Sequence, residues 1–119
     1  MQQIPKEIEQ QLMQFQQLQK QAQTVSQQRL QFEMQLKETE KALGELGKLG
    51  ETQDVYKSVG AFLIKTDAQP VKTELEEKKE TLNVRIKTFK GQEEKITEKL
   101  KTMQTEIEGK LKGYTPQTG

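Results

Sequence analysis

Apolar residues recur at alternating steps of three and four along two long stretches of this chain. The first stripe runs Ile4, Ile8, Phe15, Leu18, Ala22, Val25, Phe32, Leu36, Leu43 and Leu46. The second runs Leu75, Leu82, Ile86, Phe89, Ile96, Leu100, Met103, Ile107 and Tyr114. This alternation lines side chains along one seam of an α-helix, the pattern of a coiled coil. Between the stripes, Val55 to Lys65 abandons the helical period. That stretch is rich in β-branched and aromatic residues around Gly60, which predicts two strands of about five residues joined by a tight turn.

The pattern predicts a mainly α chain: a long antiparallel two-helix coiled coil with one β-hairpin between the helices. All 119 residues form a single domain in this reading. Helix one covers about 4–48, the hairpin about 54–66 and helix two about 68–113, with a tail at 114–119. Pro5 suits a first turn, because its missing N–H has no helical partner there. Ten of thirteen seam positions in the first helix are apolar, the exceptions being Gln11, Arg29 and Thr39. Gly44, Gly47 and Gly50 each weaken a helix by about 1 kcal/mol relative to Ala and place its end near 47–50. Asp67 is a cap candidate for the second helix, and Pro70 is tolerated only in its first turn. Nine of thirteen seam positions there are apolar, with Lys72, Lys79, Glu93 and Lys110 as breaks.

Nearly equal helices around a central turn favour antiparallel pairing within one chain. One register sets Phe15 by Met103, Leu18 by Leu100, Phe32 by Ile86 and Leu36 by Leu82. A slip of one heptad, which joins residue 32 to 79, is nearly as good by count of apolar pairs.

Composition fits the same picture. The chain is 31% hydrophobic and 31% charged, short of the ~45–50% apolar content of an ordinary globular domain. A two-helix seam needs only a narrow apolar stripe, and a disordered chain has no reason to keep its apolar residues in register. Net charge is +1, so no field of one sign draws in nucleic acid or a membrane surface. Cys and His are both absent, which removes disulfides, thiolate chemistry and the commonest general base. No cofactor, metal site or catalytic residue is expected. Gly44-x-x-Gly47-x-x-Gly50 is not a phosphate loop, since it lacks a preceding strand and a Lys-Ser/Thr end. The N-terminal segment has no apolar core of signal-peptide length, and no run approaches a membrane span, so the default expectation is a soluble cytoplasmic protein. Fourteen of the first 35 residues are Gln; they read as a solvated helix face or as an uncharged, adaptable contact surface.

An isolated hairpin is marginal in water, and this one exposes two unpaired edges together with Val55, Tyr56, Val59, Phe62, Leu63 and Ile64 around Gly60. Pairing with hairpins of other subunits solves both problems, which predicts oligomerisation; a hairpin folded back on its own helix ends is the alternative. At these residues the chain resembles the β class of prefoldin. Tyr56-Lys57-Ser58-Val59-Gly60, then Leu63-Ile64-Lys65, then the heptad helix with Glu74-Leu75-Glu76-Glu77-Lys78-Lys79-Glu80 carry the resemblance, which extends over almost the whole chain. One hairpin in a short chain is similar to the β class rather than the longer α class, and the sequence looks more archaeal than eukaryotic. The resemblance implies a hexamer of two prefoldin α subunits and four β subunits (α2β4), with hairpins forming a β-barrel platform. It further implies an ATP-independent chaperone that holds unfolded client proteins at the coiled-coil tips and delivers them to a group II chaperonin. The three glycines at 44, 47 and 50 are more than the family pattern leads one to expect.

Apolar residues near the chain ends exceed what a two-helix seam needs. Leu12 and Met13 lie beside Ile8 and Phe15, and Leu111 lies beside Ile107 and Tyr114. With Met103 these form the expected client-binding tip: Ile8, Leu12, Met13, Phe15, Met103, Ile107 and Leu111. Flexible apolar side chains suit a surface that accepts many partners. The competing function is a purely structural coiled-coil adaptor whose only interface is the hairpin.

Overall fold

The computed structural model describes residues 4–50 and 53–114, with the side chain of Tyr114 outside that description. Its elements in chain order are α1 (Lys6–Gly47), β1 (Val55–Val59), β2 (Phe62–Thr66) and α2 (Ala68–Tyr114). The expected tail beyond Tyr114 lies outside the described residues, and Tyr114 itself closes α2.

Each helix is specified locally. Pro5 sits just before α1, where its carbonyl accepts from the N–H groups of Ile8 and Glu9. Glu7 and Glu9 place negative charge in the first turn, beside the positive end of the helix dipole. The far end of α1 tightens at Gly47, where Lys48 and Leu49 donate to the carbonyls of Glu45 and Leu46, three residues back. Threonines inside both helices are accommodated the same way: Thr24, Thr39, Thr73, Thr88, Thr102 and Thr105 each donate a hydroxyl hydrogen to the carbonyl four residues earlier.

The chain folds as two compact units. One holds α1 up to Gln28 and α2 from Phe89 onward. Its helices run antiparallel, since Glu7 bonds Lys110 while Gln11 shares a cleft with Met103 and Ile107. Ile8, Val25, Ile96 and Ile107 are its buried seam. The other unit, Arg29–Thr88, holds the rest of both helices and the hairpin. Leu82 and Ile86 are buried there, and Arg85 lies over the Phe32 ring at 5.6 Å, a cation–π contact. Arg29 pairs with Glu33 at 3.0 Å.

Thr39 departs from the apolar rule. It occupies a seam position and is as buried as Leu82, and its hydroxyl is satisfied by the 2.8 Å bond to the Gln35 carbonyl. Lys72 departs in the opposite sense. The second stripe assigns it to the seam, but it is exposed, and the covered residues at the start of α2 are Ala68, Val71 and Leu75.

Candidate functional site

The hairpin is an open apolar surface. Val55, Tyr56, Lys57, Ser58 and Val59 pair antiparallel with Thr66, Lys65, Ile64, Leu63 and Phe62 respectively. Gly60 and Ala61 form the two-residue turn. Gly60 has φ +60° and is the only described residue with positive φ, so the turn takes glycine at its first position, as a type II′ hairpin requires. Alternation along the strands places Val55, Val59, Phe62 and Ile64 on one face with Lys57 and Thr66, and Tyr56 and Leu63 on the other with Ser58 and Lys65. Phe62 and Leu63 are each 74% exposed and Tyr56 is 61% exposed. Val59, Gly60 and Ile64 are also exposed, while Val55 is half-buried at the base. Among the described residues no third strand covers either edge. Two ion pairs steady the base: Lys57 reaches Glu74 of α2 at 2.7 Å, and Lys65 reaches Asp54 at 3.2 Å.

The expected tip residues fall into two groups. Ile8 and Ile107 are closed into the seam at 4% and 6% exposure. Both occupy heptad positions facing the partner helix, where closing the coil withdraws them from solvent, so neither offers a surface in this arrangement. Phe15, Leu12, Met103 and Leu111 are half-buried, and Met13 is the exposed member at 61%. Beside them Gln11, Gln14, Lys99, Met103, Glu106 and Ile107 line a cleft of about 160 Å³. The Gln11 Oε1 is buried with no hydrogen-bond partner. The salt bridge between Glu7 and Lys110, 2.8 Å long, ties α1 to α2 at this end. Lys110 first by its hydrogen bond and then by its charge holds the Glu7 carboxyl below its ordinary value.

A further groove went unread in the sequence. Gln16, Gln19, Lys20, Ala22, Gln23, Ser26 and Leu100 line about 640 Å³ of space. The glutamine run was the available signal. The groove itself was hidden, because it joins that run to Leu100, far away in the sequence on α2. The hydrophobic residues Leu30, Met34 and Val84, at outer positions of the helices, are also exposed. Among the described residues no three His, Cys, Asp or Glu side chains are placed to hold a metal ion, and no helix is long and apolar enough to cross a membrane.

Comparison with known proteins yields one family. A family model described as "Prefoldin subunit" matches residues 9–114. The chain is 43% identical over 116 residues to the prefoldin subunit beta of Archaeoglobus fulgidus, covering 98% of this chain and 97% of that one. It is 40% identical to the corresponding subunit of Thermococcus onnurineus, covering 94% and 97%. Among solved structures, the prefoldin beta subunit from Thermococcus strain KS-1 superposes with a TM-score of 0.84 at 40% identity, covering 93% of this chain and 97% of that chain. The beta2 subunit from the same strain, at 22% identity and TM-score 0.69, shares the fold.

Proposed function

This chain belongs to the prefoldin subunit family, as a β-type subunit, and from that premise we propose that it assembles through its hairpin into a chaperone that holds unfolded proteins. The observation that carries the reading is the hairpin itself. Two five-residue strands with Phe62, Leu63 and Tyr56 largely in solvent and both edges open are not a stable end state in water. Strand addition from hairpins of α-class and further β subunits pairs the edges and covers the faces together. The resulting α2β4 hexamer presents six pairs of chain ends. Met13, with Leu12 next to it on α1 and Leu111 on α2, supplies a weak apolar contact on each β subunit, and several such contacts acting at once hold a client without any tight single site.

Holding requires no nucleotide in this reading; among the described residues Gly44, Gly47 and Gly50 lie in and just past the end of α1, with no strand before them. Transfer of clients to a group II chaperonin and a cytoplasmic setting complete the proposal. They rest on the family.

Reconstitution with an α-class partner tests it. The complex has the mass of a hexamer and suppresses aggregation of an unfolded test protein equally with and without ATP. Met13→Ser with Leu111→Ser lowers suppression and leaves the hexamer intact. A complex that assembles but suppresses nothing indicates the structural adaptor instead.

A further inference from the structure

We propose that the groove lined by Ala22, Leu100 and the glutamines beside them binds a short extended segment of non-native polypeptide with little regard to its charge; this deepens the chaperone reading and rests on it. The groove lies within one compact unit of the fold. Gln16, Gln19, Gln23 and Ser26 follow one another at steps of three and four along α1, so they form one continuous bank beside the seam. Ala22 of α1 and Leu100 of α2 are the apolar residues of its lining. The space of about 640 Å³ is an open groove rather than an enclosed cavity, which suits a segment lying along it.

The chemistry of the lining selects the occupant. A primary amide carries both donors and acceptors, so Gln16, Gln19 and Gln23 match the N–H and C=O groups of an extended backbone whatever its sequence. Ala22 and Leu100 take an apolar side chain. Charge is withheld from this part of the chain: Lys20 is the single charged residue from Gln10 to Gln28, although charged residues make up 31% of the whole. At that share, six of those nineteen positions would be charged. A lone cation is too little for a nucleic acid, and a bank without carboxylates is no cation site. One cation and no carboxylate in the lining leave only a weak preference between charged peptides, which suits a surface handling varied unfolded chains.

The test uses the complete complex with its partner subunits and three unstructured peptides of equal length and apolar content. Their net charges are about −4, 0 and +4, chosen so that an added charge in the groove separates them. At 0.15 M salt the unaltered complex binds all three within about threefold of one another. Gln19→Glu with Gln23→Glu weakens the acidic peptide about tenfold, strengthens the basic one and leaves the neutral one within about twofold. Ala22→Leu, which puts a larger side chain into the lining, weakens all three about tenfold without changing the mass of the complex. Peptide binding that both variants leave as it was overturns the groove while the chaperone reading stands. A change in the mass of the complex in either variant also overturns it, because the groove is then a contact between subunits. An unaltered complex that binds none of the peptides overturns both readings.

Discussion

Glu7 and Lys110 stand 103 residues apart in the sequence and are joined by a 2.8 Å hydrogen-bonded ion pair. In the other unit Arg85 lies over Phe32. Each contact is within one residue of the register that sets Phe15 by Met103 and Phe32 by Ile86, and each is far from a register slipped by a heptad. Cys substituted at Glu7 and Lys110 is therefore joined rapidly by a short thiol crosslinker. Cys at Glu7 and Gln104, which the slip brings together, is not. Efficient joining of 7 to 104 would falsify the register.

The same pair has a pH signature. The Glu7 carboxyl is held below its ordinary value of 4.5 by the Lys110 hydrogen bond and, second, by its charge. A carboxylate with a depressed folded value adds stability that is present above the unfolded value and lost as pH falls through the folded one. Solvent screens so exposed a pair, so the effect on stability is small and the carboxyl itself is the better reporter. An NMR titration finds Glu7 below the ordinary value, and Lys110→Ala moves it back up. No movement in the variant dissociates the shift from the ion pair.

Gln11 occupies a seam position with a buried, unpartnered Oε1. An unsatisfied buried acceptor costs about 1–3 kcal/mol. Gln11→Leu removes that cost and adds apolar contact to the cleft beside Met103 and Ile107, stabilising the fold by about 1 kcal/mol. Thermal denaturation of the two proteins measures it, and a lower melting temperature in the variant rejects the account.

In the proposed assembly, substitutions in the hairpin separate folding from assembly. Phe62→Ser with Leu63→Ser leaves helical circular dichroism unchanged, since neither side chain is buried within the chain, but shifts the sedimentation profile from complex to free subunit. Gly60→Ala acts through the backbone instead, since its φ of +60° costs a side-chain-bearing residue about 1–2 kcal/mol. Assembly then needs a higher subunit concentration. A double serine variant that still assembles removes the hairpin from the interface.

The fold was legible because seam burial follows position. Ile8, Val25, Leu82, Ile86, Ile96 and Ile107, the buried apolar residues, all belong to the two stripes. Thr39 shows the limit of counting apolar residues. It reads as a break, yet position buries it, and the bond that satisfies it, to the Gln35 carbonyl, leaves no trace in a hydrophobic pattern. At the start of α2 the covered face runs one residue earlier than the heptad extrapolates, through Val71 rather than Lys72. Tyr114 remains helical despite Gly109 and Gly113 before it, because propensity is a weak constraint that context overrides. The hairpin residues were readable from composition and turn chemistry together. Of the residues expected at the tip, Met13 is exposed while the coil closes over Ile8 and Ile107, because which neighbours stay open depends on how far the coil closes. The groove lined by Ala22 and Leu100 joins two helices in three dimensions, which no periodicity reports.

An uncovered hairpin also bears on the supply of subunits. A copy of this chain made without partners carries Phe62 and Leu63 in water beside two free strand edges, the features by which aggregation begins. Such a copy resembles the damaged proteins that quality-control systems remove. In the proposed assembly that surface is covered, so an orphan copy is expected to aggregate and be removed more readily than an assembled one.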